Sequence, residues 1–190
     1  EEHVCDALVA LSEAVLPSLR VVVLKVSTGG GERPSAASRV EAARLAVVGA
    51  RLAERGVTIV CTAQGHVSGG ALLACAMAHY RIVEEGASFE CGDDAAVHEQ
   101  LRVALRPSDA AELVSGGRAD AQRALSLGLA SEVVQSGAAE RAVQFACWLA
   151  LQPVVGMQHV LQLSYRGVSP VRAPPAIELA AVRRVLLDDE

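Results

Sequence analysis

Between Val57 and Val83 the chain runs VTIVCTAQGHVSGGALLACAMAHYRIV, an order of residues that few folds accommodate. Val57, Thr58, Ile59 and Val60 make an apolar, β-branched run that predicts a buried strand. Gln64, Gly65, Ser68, Gly69 and Gly70 then predict a turn that opens a helix of alanine and leucine. Paired glycines at a helix start let the backbone turn sharply and leave N–H groups bare at the positive end of the helix dipole, where an oxygen can approach. Such a terminus can hold developing negative charge. The same glycines would also allow tight helix–strand packing, so the pattern alone leaves both uses open.

The rest of the chain alternates between the same two periods. Val4, Leu8, Leu11 and Val15 predict an amphipathic helix over 3–16, ended by Pro17. A strand over 20–26 follows, then a glycine-rich loop over 27–34 and a helix over 37–54. Beyond the central stretch the sequence predicts a short strand at RIVE, helices over 107–115 and 120–128, and a strand over 132–135. Three further helices are predicted over 138–151, 156–165 and 175–188. Strand–helix units followed by helices predict a parallel sheet with crossovers and a helical tail.

Four collinear segments carry a family resemblance. Gln64-Gly65-His66-Val67-Ser68-Gly69-Gly70-Ala71 resembles the N-G-x-x-x-G-G-G of the crotonase superfamily, the enoyl-CoA hydratase/isomerase family, and it is followed by an alanine-rich helix, an R-I strand and Ala87-Ser88-Phe89. Ala110 to Arg118 resembles the family's A-x-E-L-x-x-T-G-R, and Asp120-Ala121 with Ala124 to Leu129 resembles its D-A-x-x-A-x-x-x-G-L. Arg20 to Val26 matches the strand before the family's first oxyanion loop. The resemblance implies an α/β fold, a crotonase-like β-β-α spiral with a C-terminal helical tail. Residues 1–135 would form the spiral core and 136–190 a helical region that docks on neighbouring subunits, usually in trimers. The family's opening N-R-P-x-x-x-N-A segment has no counterpart here, which implies a truncated spiral with an exposed sheet edge.

The chemistry implied is enolate stabilisation on an acyl thioester, carried by coenzyme A or by the phosphopantetheine of an acyl-carrier-protein, with no other cofactor and no metal. Two backbone N–H groups would hold the thioester oxygen. The motif puts one at Gly70, beside Gly69, and the first loop would supply the other from Ser35 or Ala36, since Pro34 has no N–H. Family hydratases carry two glutamates. Here the first position is Leu73 and the second falls at Asp93, so the resemblance implies a dehydratase, isomerase or decarboxylase, such as serve polyketide assembly, rather than a two-glutamate hydratase. Asp93-Asp94 equally suits a solvated turn or helix cap. His66 is a second catalytic candidate, a packing residue being the alternative, and His79 is expected to complement a helix dipole. The lost glutamate also fits a catalytically silent subunit with a binding or assembly role.

Composition narrows the partners. The net charge is −5, every basic residue except Lys25 is arginine, and no basic, aromatic-interleaved stripe occurs, which disfavours nucleic acid. No apolar run is long enough to span a bilayer and no signal pattern opens the chain, so a soluble, cytoplasmic protein is expected. Five cysteines without C-x-x-C spacing predict neither a disulfide framework nor a zinc site. Cys91, beside two aspartates, is the one cysteine not set among apolar neighbours.

Overall fold

Thr58–Ala63 (β2) is buried at all six positions because layers cover both of its faces. The computed structural model describes residues 18–26, 48–49 and 51–166, the side chains of 96, 159 and 162–166 excepted. β1 (Val21–Val26) lies on one side of β2 and β4 (Tyr80–Glu84) on the other, with β7 (Glu132–Val134) beyond, all parallel. A run rich in Val, Ile, Cys and Thr without polar alternation is what a parallel strand covered on both sides needs.

One face of this sheet packs on α5 (Ala138–Ala150): Val60 and Ile82 meet Ala138, Ala142 and Leu149. The other face packs on α1 (Gly69–Met77) and on a helix whose described residues include 51–54, with Leu52 and Leu72 buried. The remaining helices among the described residues are α2 (Ala95–Ala104), α3 (Pro107–Val114), α4 (Ala121–Leu127) and α6 (Val154–Arg166). Asp120 caps α4, its Oδ1 accepting the Arg123 N–H at 2.7 Å.

A second, smaller sheet has the order β3 (His66–Ser68), β5 (Ser88–Glu90), β6 (Arg118–Asp120), with β5 and β6 antiparallel. Val67, Phe89 and Ala119 point into the core, so His66, Ser68, Ser88, Glu90, Arg118 and Asp120 share the outer face.

The α/β architecture with a parallel sheet agrees with the sequence. Two local expectations change. His66–Ser68 is a strand rather than part of a turn, and residues 118–120 form a strand that only its pairing with β5 defines. Among the described residues β1 is the first strand in the order of its sheet. The expected helices over 3–16 and 175–188, the loop over 27–34 and most of the helix over 37–54 lie outside the described residues.

Candidate active site

β3 and β5 run parallel with Ser68 opposite Glu90, so the segments that follow them leave the small sheet at the same end. Gly69-Gly70 follows Ser68 and Cys91-Gly92-Asp93 follows Glu90, on neighbouring strands about 4.8 Å apart. The register thus brings the paired glycines and Asp93 to one edge, where α1 packs against α2.

The start of α1 is open. Ser68 occupies the N-cap position in extended conformation, its side chain makes no capping bond, and the first turn holds no acidic residue. The first N–H groups of a helix have no intrahelical acceptor. Gly69 has φ +54, which favours glycine, whereas Gly70 is in an ordinary conformation. A Cβ on either would meet no described atom within 4 Å, so no described neighbour accounts for the glycines by packing. Leu73, three residues on, is buried in the core and cannot titrate.

Asp93 is exposed in the turn before α2, and Asp94 is buried at its start, where the Asp94 carbonyl accepts the His98 N–H at 3.0 Å. His98 Nε2 lies 2.8 Å from the Gly92 carbonyl, which steadies the turn that presents Asp93. Burial, helped by the carboxylates of Asp94 and Asp93, pushes the Cys91 thiol up to about 11. Cys91 is therefore a protonated core residue at neutral pH rather than a nucleophile. Cys61 and Cys75 are buried too, whereas Cys147 is exposed despite its apolar neighbours in sequence.

His66 sits on the outer face of the small sheet. Its Nδ1 lies 3.2 Å from Ser88 Oγ and 3.3 Å from Arg118 Nη2, and its Nε2 lies 3.8 Å from Glu90 Oε2. Guanidinium can only donate, so Nδ1 is the acceptor and the ring proton faces Glu90. His66 is thus gathered with Ser88, Glu90 and Arg118, while Asp93 lies in the turn beyond β5. Sequence reasoning missed these three partners, because only the pairing of β3, β5 and β6 brings residues 22 and 52 positions apart together.

Ser35 and Ala36 lie outside the described residues. The Val26 carbonyl, at the end of β1, accepts the Gln64 N–H at 3.2 Å.

His79 corrects an expectation. Its Nδ1 accepts the Ile59 N–H at 2.9 Å, and burial, then the Arg81 charge, depresses its pKa to about 4, so it is neutral at pH 7 and does not serve the dipole. Arg81 takes that role. Its Nη1 donates to the Ala76 and Ala78 carbonyls at 3.3 and 3.0 Å, and its Nη2 to that of Gly128 at 3.2 Å.

No family sequence model and no curated protein matches the chain. Solved structures do. An enoyl-CoA hydrotase/isomerase family protein from Silicibacter pomeroyi superposes with TM-score 0.71 at 16% identity, over 95% of this chain and 83% of that one. An enoyl-CoA hydratase from Shewanella pealeana gives 0.67 at 18%, over 97% and 76%. DspI of Pseudomonas aeruginosa gives 0.67 at 23%, over 97% and 83%. At these identities the likeness is one of fold, and the fold of this chain is the crotonase fold.

Proposed function

We propose that the chain is a crotonase-type enzyme that binds an acyl thioester, presented on coenzyme A or on the phosphopantetheine of an acyl-carrier-protein, and stabilises its enolate. The observation that carries this reading is the open N-terminus of α1: an uncapped helix start with a left-handed Gly69 and no described atom within 4 Å of either glycine's Cβ position. The Gly70 N–H would hold the thioester oxygen, with Ser35 or Ala36 supplying the second donor. Charge developing on that oxygen makes each donor worth on the order of 3 kcal/mol.

Asp93, at the same sheet end, would move the proton. With Leu73 where a second carboxylate would stand, lyase or isomerase chemistry needing one carboxylate fits better than hydration by two glutamates: dehydration, isomerisation or decarboxylation, with polyketide assembly as one setting. His66 is the other candidate, oriented by Glu90 and Ser88. We place the protein in the cytoplasm, in a homotrimer or a multiple of trimers. No described helix is long and apolar enough to cross a membrane. A second reading, a catalytically silent subunit of the same fold, is favoured by the burial of Leu73.

Titration of wild type and Gly70→Val with acyl-CoA and acyl-carrier-protein tests the proposal. A Cβ at Gly70 meets no described atom within 4 Å and φ there is ordinary, so a valine side chain would stand where the thioester would lie, and thermal unfolding of the variant checks that the fold is kept. Affinity and turnover should both fall, by on the order of a hundredfold. A wild type without affinity for any acyl thioester would refute it.

A further inference from the structure

Pairing of β3, β5 and β6 sets two rows of three side chains on the outer face of the small sheet: Ser88 stands between His66 and Asp120, and Glu90 between Ser68 and Arg118. The Ser88 hydroxyl has a neighbour on each side and meets His66, its Oγ 3.2 Å from Nδ1, while Asp120 Oδ1 is taken by the Arg123 N–H at 2.7 Å. The ring proton is on Nε2, which faces Glu90 Oε2 at 3.8 Å, so the Nδ1 lone pair is turned to the serine. A hydroxyl, a neutral imidazole and a carboxylate thus stand in line. Arg118 is the fourth member. Its Nη2 reaches the same Nδ1 at 3.3 Å, and its Nε lies 3.8 Å from Glu90 Oε2, which holds the guanidinium beside the hydroxyl. All four residues are among those described, and His66, Glu90 and Arg118 keep 33%, 50% and 63% of their side chains exposed there, enough for a small molecule to reach them.

We propose that Ser88 is an acyl-accepting nucleophile, with His66 as its base, Glu90 holding the ring, Arg118 as the oxyanion donor, and an ester or thioester as substrate. The arrangement supplies each role that acyl transfer to serine needs. Ser88 Oγ bonds to the acyl carbonyl carbon as its proton passes to His66 Nδ1, and Glu90 offsets the charge of the imidazolium. A protonated Nδ1 can no longer accept, so Arg118 is released to the carbonyl oxygen at the moment that oxygen becomes negative. The bond from the acyl carbon to sulfur or oxygen then breaks, and the leaving group takes the proton from Nδ1 to depart as thiol or alcohol. Water next bonds to the acyl carbon, giving a proton to Nδ1; the bond to Oγ breaks, Ser88 recovers that proton, and the free acid leaves. Neither Gly70 nor Asp93 takes part, so the site stands apart from the enolate chemistry proposed above.

A fluorophosphonate, which phosphonylates an activated serine with loss of fluoride, reports this site whether or not a thioester binds at α1. Intact mass and peptide mapping of the full chain should show one adduct, on Ser88. Hydrolysis of p-nitrophenyl acetate and of the acetyl thioester of N-acetylcysteamine, followed in parallel, tells an oxygen leaving group from a sulfur one. Ser88→Ala should abolish adduct and turnover, and His66→Gln should slow both by a hundredfold or more. Ser108→Ala, at an exposed serine on α3, should change neither. Glu90→Gln should slow both, and Glu90→Asp should restore part of the rate, which a merely structural carboxylate would not do. Thermal unfolding shows that each variant is folded, and Ser88→Cys, which keeps a nucleophile, should still be acylated by the thioester. A wild type that takes no label and hydrolyses neither substrate would overturn the proposal. So would an adduct on another residue, or turnover by folded Ser88→Ala at the wild-type rate.

Discussion

Asp93 is exposed at the sheet end that also presents Gly70, and Leu73 is buried where a partner carboxylate would stand. On the proposed reading proton transfer falls to one carboxylate, and Asp93→Asn, which keeps shape and volume, should lower kcat by roughly a hundredfold or more while leaving thioester affinity nearly unchanged. Steady-state kinetics beside equilibrium binding checks this, and unaltered kcat would pass the role to His66. His79 makes a separate prediction. Its folded pKa of about 4 lies below the ordinary 6.5. Above pH 6.5 both states are neutral; as pH falls from 6.5 toward 4 the unfolded chain takes up a proton that the folded one refuses, so stability drops, by about 3 kcal/mol. Urea unfolding across that window should show the drop in wild type and not in His79→Gln. Gly69, Gly70 and Asp93 were legible as candidates because each lies inside a contiguous motif. The part played by Arg81 was not, since its acceptors come from residues 76, 78 and 128, brought together only by folding.

Among the elements, α1 shows what the paired glycines separate. Gly69 is left-handed and Gly70 is not, and neither is packed against a described neighbour. Gly69→Ala should cost about 1 kcal/mol, and Gly70→Ala should leave stability unchanged or slightly raised. Thermal unfolding of the two variants distinguishes them, and equal losses would mean that both positions serve packing. The far end of the same helix depends on Arg81, which ties β4 to the last carbonyls of α1 and to Gly128 after α4. Arg81→Met keeps the stem and removes the donors, leaving part-buried carbonyls unpaired, so urea unfolding should show a loss of about 3 kcal/mol. Long elements were legible from periodicity: the span over 138–151 was expected and Ala138–Ala150 is observed. The three-residue strands β3 and β6 were not, because three residues carry no readable alternation and their existence depends on partners far along the chain.

At the scale of the molecule, α5 and the start of α6 leave an apolar surface: Val143, Trp148, Leu151 and Val155 are 55%, 55%, 83% and 65% exposed. Trp148 stacks on Phe145, which lies against Tyr80, so the aromatic group is anchored to the sheet before any partner arrives. A chain whose composition is only 3% aromatic concentrates three such residues on this face, and large aromatic side chains dominate interfaces. The trimer proposed above would bury it, and Leu151→Asp should dissociate that trimer, read as a fall in mass by light scattering and a red shift of Trp148 emission. The central claim concerns Gly70, and the most direct measurement is its amide resonance in labelled protein as acyl-CoA or acyl-carrier-protein is added. A hydrogen bond from the Gly70 N–H to the thioester oxygen would appear as a downfield shift that disappears when a thioether lacking the carbonyl replaces the thioester. A Gly70 amide that does not respond to any acyl thioester, or responds equally to the thioether, would contradict it.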